Sequence, residues 1–285
     1  MDYFVHVLVF FFIYSLVVFG LSYTTHAAGI LTLGQAAFFG IGAYSAALLG
    51  IHTNVGFLSA AVIGGAIALL SSTFIGVCAL RLKEDYLAIA TLAFLEVVRQ
   101  LFYNWNGLTH GAYGLANIPP ANIFGFQMIR NSSYLVVAVI LCAIGAAIIV
   151  RINRTPLGLA VLASRDDLIA LETLGKSATL LKLGTLSVSA FLAGIAGAEY
   201  AYYVGFIHPN DFGLNQSIMF LAISIVATAR RPILGCFLGL LVYFVSSEML
   251  RVVNLPGTYK ANVIQILTAV TILLVVLFRE RGTKS

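Results

Sequence analysis

The sequence predicts an all-α, polytopic membrane protein, and its composition and long apolar runs indicate this class. Of its 285 residues, 60% are hydrophobic and only 9% are charged, which leaves too few polar groups to cover a water-soluble domain. Uncharged runs such as residues 133–150 and 212–229 match the ~20 residues that a helix needs to cross a bilayer. The runs are continuously apolar, whereas strands of a membrane β-barrel alternate between apolar and polar residues, so we expect helices.

We predict about nine transmembrane helices, within a range of about eight to ten. They lie at residues 4–22, 30–49, 56–80, 86–104, 133–150, 184–203, 213–229, 232–250 and 261–278. Glycine, alanine and polar residues dominate the second span, so a broken or re-entrant helix is an alternative there. The N-terminal run lacks a basic region and a small-residue cleavage site, so we expect a first span instead of a removed signal peptide.

The distribution of Lys and Arg predicts the orientation. Twelve of the 16 basic residues fall in segments 81–85, 151–183 and 230–231 and in the C-terminal tail, all on one side of the predicted spans. The positive-inside rule makes that side cytoplasmic and, with nine spans, places the N-terminus outside. Residues 1–285 then form a single membrane domain with a cytoplasmic loop at 151–183 and an extracytoplasmic loop at 105–132. This topology explains the net charge of +5 without a nucleic-acid partner.

The cytoplasmic loop contains an unusually charged stretch, SRDDLIALETLGK, at residues 164–176. Ser164 followed by Asp167 resembles a capping box, and Gly175 is placed as a helix stop, so we predict a helix at 165–174. Its narrow apolar stripe consists of Leu168, Leu171 and Leu174. So short a helix is marginal alone. Its stripe is expected to pack either on the protein's own membrane domain or in a groove of a cytoplasmic partner, and both alternatives stay open.

Small and polar residues share the second predicted span. Gly40 and Gly42 each lie four residues from an alanine, a spacing that lets helix backbones approach closely in lipid. Polar residues in the same span would also suit a helix that lines a translocation path. The candidates for such a path, or for helix packing, are Gln35, Gly40, Gly42, Tyr44, Ser45, Thr91 and Glu96.

Glu96 and Arg99 lie three residues apart on the fourth predicted span and could form an ion pair on one helix face. Placing an ionisable side chain inside a membrane span costs free energy, so such a residue is a functional candidate. The alternative is that Arg99, near the outer end, simply reaches the membrane interface.

The sequence predicts neither a catalytic nor a metal site. The motifs HExxH, GxSxG and DDxxD and the P-loop do not occur in it. Cys78, Cys142 and Cys236 are isolated from one another and lack metal-ligand spacing, so we expect them to pack as small apolar residues. If ATP drives this protein, another chain must hydrolyse it.

Five segments carry a family resemblance. They are LTLGQAAFFGIGAYSAALL (31–49), RLKEDYLAIATLAFLEVVR (81–99), LTHGAYGLANIPP (108–120), TPLGLAVLASRDDLIALETLG (155–175) and SAFLAGIAGAEYAYYVGFIHPNDF (189–212). Together, and in this order, they resemble the permease subunits of ATP-binding cassette (ABC) importers for branched-chain amino acids, in the LivM-like branch. The chain departs from the family pattern at Leu95, where glycine is common, at Glu199, where an apolar residue is usual, and around 226–235.

The resemblance implies a multi-pass subunit of a bacterial inner (plasma) membrane, surrounded by lipid, that binds no cofactor itself. Its implied partners are two cytoplasmic ABC ATPases that bind the ATP, a second homologous permease and an extracytoplasmic substrate-binding protein. The implied ATPase-coupling residues are Arg165, Asp166, Asp167, Leu168, Leu171, Glu172 and Gly175.

Other functions stay open. Within the family, a urea or amide importer is the alternative. An ion-coupled secondary transporter or an intramembrane enzyme would require a midmembrane ionisable cluster or a catalytic constellation, and the sequence makes neither evident.

Overall fold

The structure, a computed structural model, is helical in its membrane domain, as the composition predicts. It describes residues 2–53, 55–79, 84–123, 126–128, 130–166, 171, 173, 175–226, 232–252 and 270. The helices are α1 (Asp2–Ala27), α2 (Gln35–Thr53), α3 (Phe57–Ala79), α4 (Glu84–Asn104), α5 (Asn106–Thr109), α6 (Asn131–Asn153), α7 (Pro156–Asp166), α8 (Ala178–Val204), α9 (Leu214–Val226) and α10 (Pro232–Val252). Short 3-10 turns lie at Gly111–Tyr113 and Pro209–Phe212, and a small antiparallel hairpin pairs β1 (Asn122–Ile123) with β2 (Phe126–Gln127).

Six of the described helices are long and apolar enough to cross a membrane, namely α1, α2, α3, α4, α6 and α8. This confirms the all-α, polytopic class. The count of about nine is not confirmed, because α9 has only 13 residues and α10 provides a shorter apolar stretch, Ile233–Glu248. The ninth predicted span, 261–278, lies outside the described residues apart from Val270.

Helix α8 is the centre of the bundle, because its glycine- and alanine-rich face lets α2 and α3 approach closely. A Cβ atom on Gly194 would lie 2.8 Å from the Cα atom of Gly65 in α3. A Cβ atom on Gly197 would collide with the carbonyl oxygen of Phe39 in α2. Small residues four apart permit such packing inside a membrane, and the small-residue spacing predicted in the second span lies at the interface of α2, α3 and α8.

Two loops join at the end of the bundle that is predicted to be extracytoplasmic. Leu115 and Ile207 form an antiparallel bridge whose two backbone hydrogen bonds are 2.9 and 3.0 Å long. The Nε2 atom of His208 lies 3.1 Å from the carbonyl oxygen of Ala112. Residues 105–121 and 205–213 therefore make one unit, which we call the outer cap.

The predicted helix cap at Ser164 is wrong, because Ser164 lies inside a helix that has already begun. Helix α7 begins at Pro156, and the side chain of Thr155 caps it by accepting a 3.3 Å hydrogen bond from the backbone N–H of Gly158. Threonine followed by proline supplies both a cap and a preset φ angle for the first turn. Ser164 lies inside α7, where its buried hydroxyl donates to the carbonyl oxygen of Val161, so it caps nothing.

The predicted helix stop at Gly175 is confirmed. Gly175 has a φ angle of +74°, a left-handed conformation that favours glycine. The backbone N–H of Lys176 donates to the carbonyl oxygen of Leu171 at 3.4 Å, as in a Schellman turn. Of the predicted helix 165–174, residues 167–170, 172 and 174 lie outside the described residues, whereas Leu171 and Thr173 are helical.

Candidate functional site

The chain is not helical between α1 and α2, in a stretch that we call the interrupted segment, residues 28–34. The first residue of α2, Gln35, lies beside the middle of two other spans. Its Nε2 atom donates to the carbonyl oxygen of Val17 in α1 at 3.5 Å and to the hydroxyl of Ser189 in α8 at 3.1 Å. Helix α2 therefore begins deep inside the bundle, which corrects the expected start at residue 30, and it is continuous from Gln35 to Thr53.

Side-chain hydroxyls satisfy the backbone around this break. Thr91 of α4 accepts a 3.0 Å hydrogen bond from the N–H of Leu33. Ser217 of α9 donates to the carbonyl oxygen of Leu33 at 2.6 Å and accepts from the N–H of Ala36 at 3.1 Å. The hydroxyl of Thr32 accepts a 3.2 Å hydrogen bond from the backbone N–H of Gly34, two residues later. Irregular backbone is tolerated at membrane depth only where such partners exist.

We call the group of buried polar side chains around the α2 N-terminus the break site: Thr32, Gln35, Thr91, Ser189 and Ser217. These five side chains come from α2, α4, α8, α9 and the interrupted segment, and none of them is charged. The N-terminus of a helix carries a partial positive charge, and half-helix ends at the membrane midplane form binding sites in several transporter folds. The break site is therefore polar and uncharged; its side chains bind one another and the neighbouring backbone in this structure, and it has no residue suited to acid–base chemistry.

The structure brings only two of the predicted path residues, Gln35 and Thr91, to the break site. Gly40 and Gly42 serve helix packing: a Cβ on Gly40 would lie 2.9 Å from the ring of Phe212, and one on Gly42 would collide with the backbone of α8. Ser45 lines an open, mostly apolar groove between α2 and α3, away from the break.

Tyr44 lies higher in α2, under the outer cap. Its ring stacks on that of Phe102, with 4.2 Å between the ring centroids. The residue is 2% exposed, and its hydroxyl has no hydrogen-bond partner among the described residues.

The predicted pairing of Glu96 with Arg99 is confirmed. The Nε atom of Arg99 donates to Glu96 at 3.0 Å, and its Nη2 atom donates to the second carboxylate oxygen. A third donor of Arg99 reaches the side-chain oxygen of Asn210 in the outer cap at 3.0 Å. This pair belongs to the outer half of α4 and not to the break site.

Glu199, which the sequence marks as unusual, is 1% exposed in α8. Neither of its carboxylate oxygens has a hydrogen-bond partner among the described residues. In the part of the chain that the structure describes, no three His, Cys, Asp or Glu side chains cluster as metal ligands would.

Sequence reasoning missed Thr32, Ser189 and Ser217. Each is a single small hydroxyl residue in an apolar stretch, a pattern that internal helix hydrogen bonds also produce. They differ from ordinary helix hydroxyls only in the structure, where the chain before α2 is irregular and leaves backbone groups without helical hydrogen bonds. The hydroxyls lie beside this irregular stretch and form hydrogen bonds there.

The predicted coupling segment contacts the bundle at two described residues. Arg165 donates to the carbonyl oxygen of His26 at the end of α1. Leu171 is 4% exposed and packs with Ala160 and Ala178, so at this position the apolar stripe meets the protein's own helices. Asp167, Leu168 and Glu172, and the side chain of Asp166, lie outside the described residues.

The sequence matches one protein family, described as the permease component of a branched-chain amino acid transport system, over residues 3–276. The high-affinity branched-chain amino acid transport system permease proteins LivM of Salmonella typhimurium and Escherichia coli are each 34% identical to it over 266 residues, which cover 85% of this chain and 62% of theirs. A probable LivM permease of Methanocaldococcus jannaschii is 26% identical over 184 residues, 64% of this chain and 51% of that one. The chain thus spans less than two thirds of the length of these curated relatives. No solved structure matches significantly.

Proposed function

The chain belongs to the branched-chain amino acid transport permease family, and from this premise we propose that it is the transmembrane permease subunit of an ATP-driven importer. Its substrates are branched-chain or related amino acids. They arrive on an extracytoplasmic binding protein and reach the cytoplasm by alternating access. Two cytoplasmic ABC ATPases and a second homologous permease complete the transporter, and the ATP binds to the ATPases.

The observation that carries this proposal is the start of α2 inside the bundle. A helix that begins at the level of Val17 and Ser189 places its N-terminal N–H groups and the amide of Gln35 at membrane depth, where a solute would have to replace partners such as Ser189 and Ser217. A polar but uncharged site of this kind suits a solute that crosses without exchanging protons with the protein. It speaks against a proton-coupled secondary transporter, which would need ionisable residues at the same depth.

Transport by alternating access requires that nucleotide and substrate favour different conformations. The contact between Arg165 and His26 supports such coupling, because it joins the cytoplasmic loop to a residue two positions before the start of the interrupted segment. A displacement of the loop by an ATPase would therefore reach the stretch that leads into the break site.

The test is uptake of radiolabelled L-leucine by proteoliposomes that contain the chain with its partner subunits. We expect uptake that requires both ATP and the binding protein, and at least a tenfold loss when Gln35 is replaced by leucine, which has a similar volume but cannot hydrogen-bond. The matched control is Gln127→Leu, since Gln127 is exposed in β2.

Three outcomes would overturn or redirect the proposal. Uptake by the chain alone, driven by an ion gradient, would assign a secondary transporter. Uptake of urea or of short amides without uptake of leucine would assign the alternative substrate within the family. Full activity of the Gln35→Leu variant would remove the break site from the translocation path.

A further inference from the structure

The ion pair of Glu96 and Arg99, which we call the outer pair, lies at a depth where charges do not normally face lipid. Helix α4 ends at Asn104, so with a rise of 1.5 Å per residue the two side chains attach roughly 12 and 8 Å below its outer end. The side chains of Glu96 and Arg99 are nevertheless 46% and 23% exposed. Charged groups within a span face a bundle interior or a water-filled cavity, which indicates that this face of α4 borders the translocation path.

The outer pair has unused hydrogen-bonding capacity of both signs. A guanidinium group has five N–H donors; in Arg99 two of them meet Glu96 and one meets Asn210. A carboxylate has about four acceptor positions; Glu96 fills three, through two bonds from Arg99 and one from Gln100. Among the described contacts, the cationic Arg99 therefore keeps unused N–H donors, and the anionic Glu96 beside it keeps an unused acceptor position.

A second observation lies next to the pair. The bond from Arg99 to Asn210 holds the 3-10 turn Pro209–Phe212, whose Phe212 is buried 5.8 Å from the ring of Tyr44. Tyr44, Phe102 and Phe212 form what we call the aromatic cluster. The hydroxyl of Tyr44 is buried there with no hydrogen-bond partner among the residues that the structure describes, which is unfavourable in this state. The burial of this hydroxyl costs less free energy in any state in which a polar group forms a hydrogen bond with it.

We propose that the outer pair binds the zwitterionic head group of the transported amino acid in the outer half of the path. The carboxylate of Glu96 accepts from the substrate ammonium group, and the guanidinium of Arg99 donates to the substrate carboxylate. The hydroxyl of Tyr44 then donates to the substrate carboxylate, and the apolar side chain of the substrate packs on the rings of the aromatic cluster. This site deepens the proposed import function and rests on it.

The arrangement accounts for a choice between substrate classes. A zwitterion satisfies both members of the outer pair, whereas a simple carboxylate or amine satisfies one and leaves the other short of a partner. Urea and short amides carry no charge and gain least. A substrate carboxylate also competes with Asn210 for Arg99, so binding weakens the bond that holds the turn with Phe212 in place.

The experiment compares variants of the complete reconstituted transporter, with its binding protein loaded with L-leucine. Initial uptake rates are measured over a range of binding-protein concentrations for Glu96→Gln, Arg99→Gln, Tyr44→Phe and the exchange E96R/R99E. The exchange keeps an ion pair at the same two positions but reverses its charges. Arg130→Gln is the control, because Arg130 is an exposed arginine at the same end of the bundle.

We expect the maximal rate to fall at least tenfold in Glu96→Gln, in Arg99→Gln and in the exchange variant. The concentration of binding protein that gives half the maximal rate should not change, because docking does not involve the pair. Tyr44→Phe should lose at least threefold in rate without loss of thermal stability, and Arg130→Gln should match the wild type.

Recovery of wild-type rates in the exchange variant would overturn the proposal, since a purely structural ion pair tolerates reversal. Wild-type rates in both single charge variants would do the same. If the charge variants fail to assemble, a wild-type rate in Tyr44→Phe overturns it. A wild-type transporter that does not import leucine refutes the proposed function, whereas leucine import that is indifferent to these substitutions refutes only the site.

Discussion

The guanidinium group of Arg165 in α7 donates a 2.8 Å hydrogen bond to the carbonyl oxygen of His26 at the end of α1. The stem of Arg165 lies over Gly29, where an added Cβ atom would be 3.2 Å from its Cγ atom. The Nε2 atom of His26 in turn lies 2.9 Å from the carbonyl oxygen of Ser224 in α9. One side chain of the cytoplasmic loop thus contacts the start of the interrupted segment, and a second contact continues to α9.

Replacing Arg165 with alanine should uncouple ATP hydrolysis from uptake. The loop would lose its bond to the backbone of α1, so uptake should fall about tenfold, or about 1.4 kcal/mol, while the ATPase activity of the assembled transporter stays. Both activities are measured on the same proteoliposomes. Arg154→Ala, which removes an exposed arginine from the same loop, is the control. Equal losses in the two variants would show a general charge effect instead.

Replacing Gly194 with alanine should destabilise the protein by about 1–3 kcal/mol, since the new methyl group would be forced against α3. Its Cβ atom would lie 2.8 Å from both the Cα atom of Gly65 and the Cβ atom of Ala68. Gly184 is the matched control in the same helix, because nothing lies within 4 Å of an added Cβ there. Gly184→Ala should be neutral or stabilise by up to about 1 kcal/mol. Thermal unfolding of the purified variants distinguishes the two effects.

Replacing Glu199 with glutamine or leucine should raise the thermal stability. Both carboxylate oxygens are buried without a partner among the described residues, and an unpaired buried polar group costs about 1–3 kcal/mol. Leucine removes both oxygens and should stabilise more than glutamine. The midpoint of thermal unfolding in detergent measures the effect. A lower midpoint in both variants would show that the carboxylate has a stabilising partner.

Replacing Gly175 with alanine should impair uptake through backbone strain alone. An added Cβ atom at Gly175 meets nothing within 4 Å, but the φ angle of +74° costs a residue with a side chain roughly 1–2 kcal/mol. Gly175→Asn should retain more uptake, because asparagine tolerates this conformation.

Gly205 provides the matched control for that strain. It has a φ angle of +73°, equally open surroundings and a position at the opposite end of α8. If Gly205→Ala reduces uptake as much as Gly175→Ala does, the effect is one of folding and the loop turn has no special part in coupling.

Local sequence patterns were sufficient to predict an interaction where the interacting groups are neighbours in the chain. The pair of Glu96 and Arg99 was predicted because residues three apart share a helix face. The turn at Gly175 was predicted because a glycine after an apolar stripe ends a helix. The cap at Ser164 was predicted wrongly, because Thr155 with Pro156 starts α7 nine residues earlier and the helix runs through Ser164.

The sequence by itself determined that this protein is a helical membrane protein and that its second span is built for close packing through glycine, because hydropathy and small-residue spacing are properties of the chain that need no partner. Only the tertiary structure decided where α2 begins and what surrounds it. Gln35 meets Ser189 across 154 residues of chain, and Arg165 meets His26 across 139. Hydrogen bonds between such distant residues depend on how the spans are arranged around α8, and no local sequence pattern predicts that arrangement.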